Sequence, residues 1–308
     1  YIYKPNAITT LPLFDGWKGG AENEKQPESG FLDNFPDELQ EKFVFFILSR
    51  DIKPLKSVAS VSKLWNGFTK ELVLLKDASR GMGDNECKEY HKLLYLELLI
   101  SSKGSITDKG IINLTNLTDL SLWQINTITN DGVKNLTSLT RLHLWRNNTI
   151  TDKGITNLTK LMTLNLWESN EIFDYGIKNL INLTSLDLHD STSISDKGIE
   201  NLTNLTNLSL RAKFRWHITD KGIKSLTNLS RLRLWNVNSI TNEGIENLTN
   251  LTSLHLWHNR KITDDCIKRL TNLTRLDLYE TSTITGKGIE NLTKLINLQK
   301  LQEELRRK

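Results

Sequence analysis

The sequence predicts an α/β solenoid, in which strand-and-helix units stack around one continuous core. The first observation is internal repetition, because an isoleucine opens each unit. It recurs at Ile106, Ile128, Ile150, Ile172, Ile194, Ile218, Ile240, Ile262 and Ile284. These positions are 22 residues apart, with a single step of 24. Such a period indicates a repeat architecture, in which each unit needs its neighbours to bury its apolar face.

Each unit combines a strand pattern with a helix pattern. Leu117, Leu120 and Leu122 follow the spacing Leu-x-x-Leu-x-Leu, and leucines two residues apart indicate a strand with one buried face. Residues 107–114 begin with Thr and Asp, which favour helix starts, and continue with apolar residues at helical spacing. Stacked units therefore predict a parallel sheet with strands about 4.8 Å apart and a horseshoe shape.

This pattern resembles the leucine-rich repeat, and the segment Ile-Thr-Asp-x-Gly-Ile is similar to the cysteine-containing subtype. The resemblance covers about two thirds of the chain. The cysteine position of that subtype is occupied here by Ile125, Asn147, Ser169, Ser191, Val237, Asn259 and Thr281. Short polar residues, above all Asn, can still bond the backbone of a turn. A glycine column from Gly110 to Gly288 is interrupted at Cys266, which predicts a need for a small residue in close packing and a structural Cys266.

Composition limits the classes of protein that the chain can represent. With 308 residues, 38% hydrophobic and 25% charged, it has room for a large core and two domains. Its longest apolar runs are far shorter than the ~20 residues of a membrane span, and no secretory signal is recognised. Two cysteines indicate a reducing compartment. We therefore expect a monomer in the cytoplasm or nucleus, not secreted, with no membrane contact.

The chain is expected to contain four parts: a flexible segment 1–30, a helical segment 31–75, a linker 76–92 and a repeat domain 93–308 with a terminal cap. In the second part, residues 31–49 predict a helix with Pro36 in its first turn and Leu39, Phe43 and Ile47 on one face. Two further short helices are expected before residue 70. Three helices in about 40 residues bury little surface, so this part is expected to need a partner.

The helical segment is similar to the F-box. The matching residues are Phe35, Pro36, Leu39, Ile47, Leu48, Val61 and Trp65, although Phe35 replaces the usual leucine. The resemblance implies that these residues bind the adaptor of a cullin-based ubiquitin ligase, for which the repeats would hold the target protein. The alternative is that residues 31–75 only cap the solenoid, as in a freestanding interaction scaffold of the internalin kind.

Residues that alternate with the buried leucines of each strand must point to the concave face. The last of these columns reads Trp123, Trp145, Trp167, His189, Arg211, Trp235, Trp257 and Tyr279. It is interpreted either as a stacked ladder that supports the sheet or as a set of anchors for a partner protein, and both can hold. We also expect Arg141 and Arg233, from the two more polar columns, to contact the target.

The repeat rule fails in the middle of this face. His189 and Arg211 replace aromatic residues, and the only two-residue insertion lies within 213–217. Insertions in repeat proteins map to loops, often on the binding face, although surface loops also lengthen at little cost. Phe214, Arg215 and Trp216 are therefore predicted to bind the target, with His189 and Arg211 beside them.

No catalytic arrangement is recognised in the sequence, so the protein is not expected to be an enzyme or to carry a cofactor. His255, His258 and Asp264 lie near one another in sequence but lack the spacing of metal ligands. A nucleic-acid surface built on the Trp column is disfavoured, because acidic residues such as Asp187 interrupt the basic field and the net charge is only +4.

Overall fold

The computed structural model describes Val44–Phe46, Val73–Asp77, Asp84, Tyr95–Ser101, 106–190, 193–213, 217–281 and 283–296. All of these residues belong to one compact unit, 42–308. For the first three strands only the backbone is described.

Eleven parallel strands form one sheet in which the strands follow one another in chain order. They are β1 (Val44–Phe46), β2 (Val73–Asp77), β3 (Tyr95–Ser101), β4 (Leu117–Trp123), β5 (Arg141–Trp145), β6 (Thr163–Trp167), β7 (Ser185–His189), β8 (Asn207–Arg211), β9 (Arg231–Trp235), β10 (Ser253–Trp257) and β11 (Arg275–Tyr279). From β4 to β11 each leucine pairs with the equivalent leucine of the next strand. The expectation of a parallel α/β solenoid is confirmed.

Nine four-residue helices alternate with these strands in the described part of the chain. They are α1 (Asp108–Ile111), α2 (Asn130–Val133), α3 (Asp152–Ile155), α4 (Asp174–Ile177), α5 (Asp196–Ile199), α6 (Asp220–Ile223), α7 (Asn242–Ile245), α8 (Asp264–Ile267) and α9 (Gly286–Ile289). A single helical turn is marginal by itself, so packing against the sheet must hold each helix in place.

The core is a stack of identical apolar layers. In the repeat that ends with β9, the opening Ile218, the helical Ile223 and the leucines at 226, 229 and 232 are all fully buried. The same positions are buried in every repeat from Ile106 to Ile289. Each layer is covered by the layers before and after it, which explains why the sequence period alone predicts the fold.

Neighbouring helices are joined by a carboxylate at the first helical position. Asp196 accepts hydrogen bonds from the backbone N–H of Thr219 (2.7 Å) and from its hydroxyl (2.8 Å), one repeat later. The Thr219 hydroxyl in turn accepts from Lys221 N at the start of α6 (3.3 Å). The Thr219 hydroxyl thus caps α6, satisfying a backbone donor that a helix start leaves free, and the Asp196 carboxylate ties this cap to α5.

The same carboxylates explain the glycine column. A Cβ at Gly222 would lie 2.5 Å from the Asp196 carboxylate, and one at Gly198 would lie 2.7 Å from that of Asp174. No φ in the left-handed range occurs at these glycines, so the predicted need for a small residue is confirmed. Cys266 occupies this site in α8, where it is buried, and there the Thr263 side chain makes no capping bond. Burial raises the pKa of the Cys266 thiol to about 12, in keeping with a structural role.

At the position where the similar repeat subtype carries cysteine, asparagine forms hydrogen bonds with the backbone of the turn, as predicted. Asn147 donates to the carbonyl of Ile125 (2.7 Å) and accepts from the N–H of Ile150 (2.9 Å). Asn259 makes the equivalent bonds to Val237 (2.7 Å) and Ile262 (2.9 Å). A fully buried amide is acceptable here because its donor and acceptor both have partners.

A left-handed residue follows most of the strands, and the sequence does not predict it. Positive φ values near 50° occur at Gln124, Arg146, Glu168, Asp190, Asn236, His258 and Glu280. None of them is glycine, although this conformation favours glycine and, less strongly, Asn and Asp. Glycine would be the sequence signal for such a turn. It is not required here because the regular stacking of the repeats holds each turn in this conformation.

One secondary-structure prediction is wrong at the residues that can be compared. Val44–Phe46 forms β1 and pairs with β2, whereas the sequence predicts helix there. The run Phe43 to Leu48 is apolar at every position, so periodicity does not distinguish a helix from a buried strand. Residues 76 and 77, which open the predicted linker, end β2. Apart from Val44–Phe46 and residues 73–75, segments 1–30 and 31–75 lie outside the described residues.

Candidate functional site

The side chains that alternate with the buried leucines face solvent and form three columns, which we call the open face. In β9, Leu232 and Leu234 are buried, Arg231 and Arg233 are exposed, and Trp235 is half-buried. The strands pair without register shifts from β4 to β11, so equivalent side chains lie side by side. A ligand on this face would therefore meet three straight rows of residues.

The third column is a continuous stack, which we call the aromatic ladder. Its members are Trp123, Trp145, Trp167, His189, Arg211, Trp235, Trp257 and Tyr279. The ring centroids of Trp123 and Trp145 are 4.6 Å apart, and those of Trp145 and Trp167 are 4.2 Å apart, with the rings parallel. Trp235 and Trp257 stack at 3.9 Å. The predicted stacking of this column is confirmed, because each inner tryptophan contacts a neighbour on both faces; that the stack supports the sheet stays a prediction.

In the middle of the ladder, His189 and Arg211 replace tryptophans, and each of them still contacts a neighbouring ring. His189 lies 4.2 Å from Trp167 with its ring tilted by 48°, and the Arg211 guanidinium lies 4.0 Å from the Trp235 ring centre. The second contact is a cation–π interaction. Burial, helped by the charge on Arg211, lowers the pKa of His189 to about 4, so the imidazole is neutral at pH 7.

A cleft of about 530 Å³ adjoins this part of the ladder, at the carboxyl ends of the central strands. It is lined by Glu168, Asp190, Arg211, Ala212, Lys213, Trp235, Asn236 and His258. Burial raises the pKa of Asp190, opposed by the charges on Arg211 and Lys213. Glu168 is held by Arg146, with 2.8 Å between the Arg Nε and the carboxylate. The predicted target residues Phe214, Arg215 and Trp216 lie outside the described residues.

Asp187 occupies the centre of the open face, on β7. Burial raises the pKa of its carboxyl to about 6, although a hydrogen bond from Ser209 and the charge on Arg233 oppose the shift. Its Oδ1 atom is buried and has no hydrogen-bond partner among the described residues. From the sequence, Asp187 is recognised only as an acidic residue that interrupts the basic columns. Its burial by neighbouring strands is not evident from the repeat pattern.

Most charges near the ends of the open face are paired. Arg141 forms an ion pair with Asp119, and Arg275 lies 2.9 Å from Asp277. Asp277 also contacts the Nδ1 atom of His255 at 2.7 Å. By contrast, Arg231 and Arg233 are exposed and form no ion pair within the described part of the chain. The central strands thus carry cations that the fold leaves available.

The histidines do not assemble into a metal site. His255 is paired with Asp277, His258 lies 3.0 Å from Glu280, and Asp264 accepts hydrogen bonds from Thr285 in the helix layer. No group of three or more His, Cys, Asp or Glu suited to a metal ion occurs among the residues described above. None of the described helices has the length and apolar character that crossing a bilayer requires.

The predicted site residues thus divide into two groups. The structure brings together the ladder residues of the target-binding set, with Arg141 and Arg233 in the adjacent columns. The adaptor-binding residues Phe35, Pro36, Leu39, Ile47, Leu48, Val61 and Trp65 lie outside the described residues. Sequence analysis missed Glu168 and Asp190 as cleft residues; the one signal was their position directly after a strand.

The fold is similar to solved leucine-rich-repeat proteins. An internalin, inlF, from Listeria monocytogenes is 29% identical over 68% of this chain and 67% of its own, with a TM-score of 0.51. Internalin C2 of the same organism is 28% identical over 61% of this chain and 81% of its own, with a TM-score of 0.49. A chain in the Toll–Spatzle complex of Drosophila is 17% identical over 78% of this chain and 40% of its own, with a TM-score of 0.51.

Comparisons of the sequence with family models and with curated proteins find no match. The structural neighbours, together with the regular strand-and-helix repeat, identify the described fold as an α/β leucine-rich-repeat solenoid.

Proposed function

We propose that this protein is a non-catalytic leucine-rich-repeat scaffold that binds another protein on the open face. The observation that supports the proposal is the density of anchor residues there. Three columns across β4 to β11 present 24 side chains, and typical protein interfaces use roughly 20–30 residues per partner. Five of the chain's eight tryptophans lie in the aromatic ladder, and Trp and Arg dominate the binding energy of most interfaces.

The proposed mechanism relies on a rigid surface. The parallel ladder and the leucine layers hold the side chains of the open face in place before binding, so little conformational entropy is lost on association. The inner rings present edges rather than faces, because their faces contact each other. We therefore expect a partner to pack across the edges of several rings instead of inserting a group between them.

A photo-cross-linking residue at Ser185, in the centre of the open face, tests the proposal directly. The matched position is Lys197, which is exposed on α5 in the helix layer. We expect one partner protein to be cross-linked from position 185 and not from 197. Equal cross-linking from both positions, or from 197 alone, would refute binding on the open face.

A second proposal is that residues 31–75 bind the adaptor of a cullin-based ubiquitin ligase, so that the captured protein is its substrate. It is supported by the motif residues from Phe35 to Trp65. Weighing against it, Val44–Phe46 is a strand that pairs with β2, as a cap of the sheet would do. Purified adaptor should bind the full chain and not the Trp65→Ala variant; if it binds neither, the scaffold proposal is unaffected.

A further inference from the structure

Three arginines lie together in the middle of the open face, and we call them the arginine cluster. Arg231 and Arg233 are exposed on β9, two residues apart and on the same side of the sheet. Arg211 lies on β8, in register with Trp235, and its guanidinium stacks on that ring. The indole of Trp235 covers one face of the Arg211 guanidinium. This contact fixes the orientation of the guanidinium, and the N–H groups along its edge remain free to donate hydrogen bonds.

The strands beside the cluster supply no carboxylate at the matching positions. Arg231 is flanked by Asn207 and Ser253, and Arg233 by Ser209 and His255. Burial lowers the pKa of His255, and the charges on Arg231, Arg233 and Arg275 lower it further, while Asp277 raises it. The two exposed arginines therefore stand between smaller side chains, none of which is acidic.

The other open-face arginines of the described strands differ in this respect. Arg141 pairs with Asp119 on the preceding strand, and Arg275 pairs with Asp277 on its own strand. The fold thus neutralises arginines at both ends of the face and leaves those on β9 without such partners. Two neighbouring like charges repel each other, so a partner with negative charge would bind favourably at this point.

We propose that the arginine cluster binds an extended, Asp- and Glu-rich segment of the partner protein. This inference deepens the proposed function and rests on it. Arginine forks pair with carboxylates through two parallel hydrogen bonds. Residues two apart on a strand are about 6.8 Å apart, so an extended segment with acidic residues at alternate positions matches Arg231 and Arg233. The edges of Trp235 and Trp257 lie beside them for apolar contacts.

Acidic residues flank the arginine cluster on both sides across the sheet. Asp187 lies two strands before Arg233, and Asp277 lies two strands after it. Glu168 and Asp190 line the cleft next to Arg211. A nucleic acid, whose phosphates would spread across several strands, would meet these carboxylates, whereas a single extended peptide that follows β9 would lie between them. The charge pattern therefore favours a protein segment.

Fluorescence anisotropy with a short synthetic peptide, in which glutamate alternates with threonine, tests the inference on the full chain. The control probes are the same peptide with glutamine for glutamate and a single-stranded RNA of equal length. The double variant Arg231→Gln/Arg233→Gln removes the proposed contacts. The matched variant is Arg275→Gln, which removes an open-face arginine that is already paired with Asp277.

We expect the acidic peptide to bind the wild-type protein and the Arg275→Gln variant equally, and to bind the double variant about tenfold more weakly or worse. The glutamine peptide should not bind. Equal affinity for the wild type and the double variant, or stronger binding of the RNA, would overturn the inference. Cross-linking from position 185 would still report on the scaffold proposal, so the two failures are distinguishable.

Discussion

Two stretches of the open face share one backbone and differ in what their side chains do. Across β4–β6 the ladder consists of Trp123, Trp145 and Trp167, stacked in parallel at 4.2–4.6 Å. Across β7–β9 the same positions carry His189, Arg211 and Trp235. The strands pair in the same register in both stretches, so the difference results from side chains alone.

The comparison separates a stabilising surface from a recognition surface. A stacked indole contributes contact area on both faces and has no charge to leave unpaired. An unpaired arginine such as Arg233 contributes little to folding and is available to a ligand, whereas a carboxyl such as Asp187, largely removed from water, costs stability when it is ionised. The first stretch should therefore respond to mutation through stability, and the second through binding.

The largest loss of stability on mutation is expected in the first stretch. Trp145→Ala should lower the free energy of unfolding by about 2–3 kcal/mol, because it removes the contacts with Trp123 and Trp167 and leaves a gap in the ladder. Trp145→Phe keeps a stacking ring and should lose less than half as much. Urea denaturation measures both variants. A loss below about 0.5 kcal/mol for the alanine variant would show that the ladder does not support the sheet.

In the second stretch, Asp187 should make the stability of the protein depend on pH. The folded-state pKa of Asp187 is raised from 3.8 to about 6, so the folded protein binds the proton more tightly than the unfolded chain. Stability from this group is complete below about pH 4 and is lost as the pH rises through 6. Asp187→Asn should therefore be more stable than the wild type at pH 8, by about 3 kcal/mol, and no more stable at pH 4. Equal pH profiles for the two proteins would contradict this account.

The two stretches meet at α4, where the helix layer also departs from the repeat. Phe173 occupies the N-cap position, half of its surface is exposed, and it makes no side-chain cap bond. Only its backbone N–H reaches Asp152 (2.7 Å). Phe173→Thr should restore the cap and stabilise the protein by about 1 kcal/mol. The reciprocal variant Thr241→Phe should destabilise the protein by a similar amount. Thermal denaturation measures both variants. If neither variant changes the melting temperature, the N-cap hydrogen bonds do not contribute to stability.

What could be predicted from the sequence follows from periodicity. The 22-residue period identifies the leucine layers, the parallel sheet and the third column, because each depends only on which residues recur. The spacing of glycine also predicts close packing, although the partner that demands it, a carboxylate such as Asp196, lies one repeat away and is not evident from the pattern.

What could not be predicted depends on neighbouring strands. The raised pKa of Asp187, the stacking of Arg211 on Trp235 and the left-handed turn at Glu168 all result from side chains or backbone held together across repeats. Outside the repeats no period is available, and an unbroken apolar run led to a helix prediction where Val44–Phe46 is a strand. The roles predicted for Phe214 and Trp216 stay predictions.

The smallest effect on stability, and the sharpest contrast with Trp145, is expected at Arg211. Arg211→Ala removes one cation–π contact at a partly exposed site, which should lower the free energy of unfolding by about 0.5–1 kcal/mol. Its effect on binding should be larger, since a desolvated arginine in an interface typically costs about 2 kcal/mol or more on truncation. The measurement is the yield of partner cross-linked from position 185, beside the melting temperature, with Lys197→Ala on α5 as the control. If Arg211→Ala and Lys197→Ala capture the partner equally well, the centre of the open face is not the recognition surface, and the departure of the ladder from aromatic residues at this position has no role in binding.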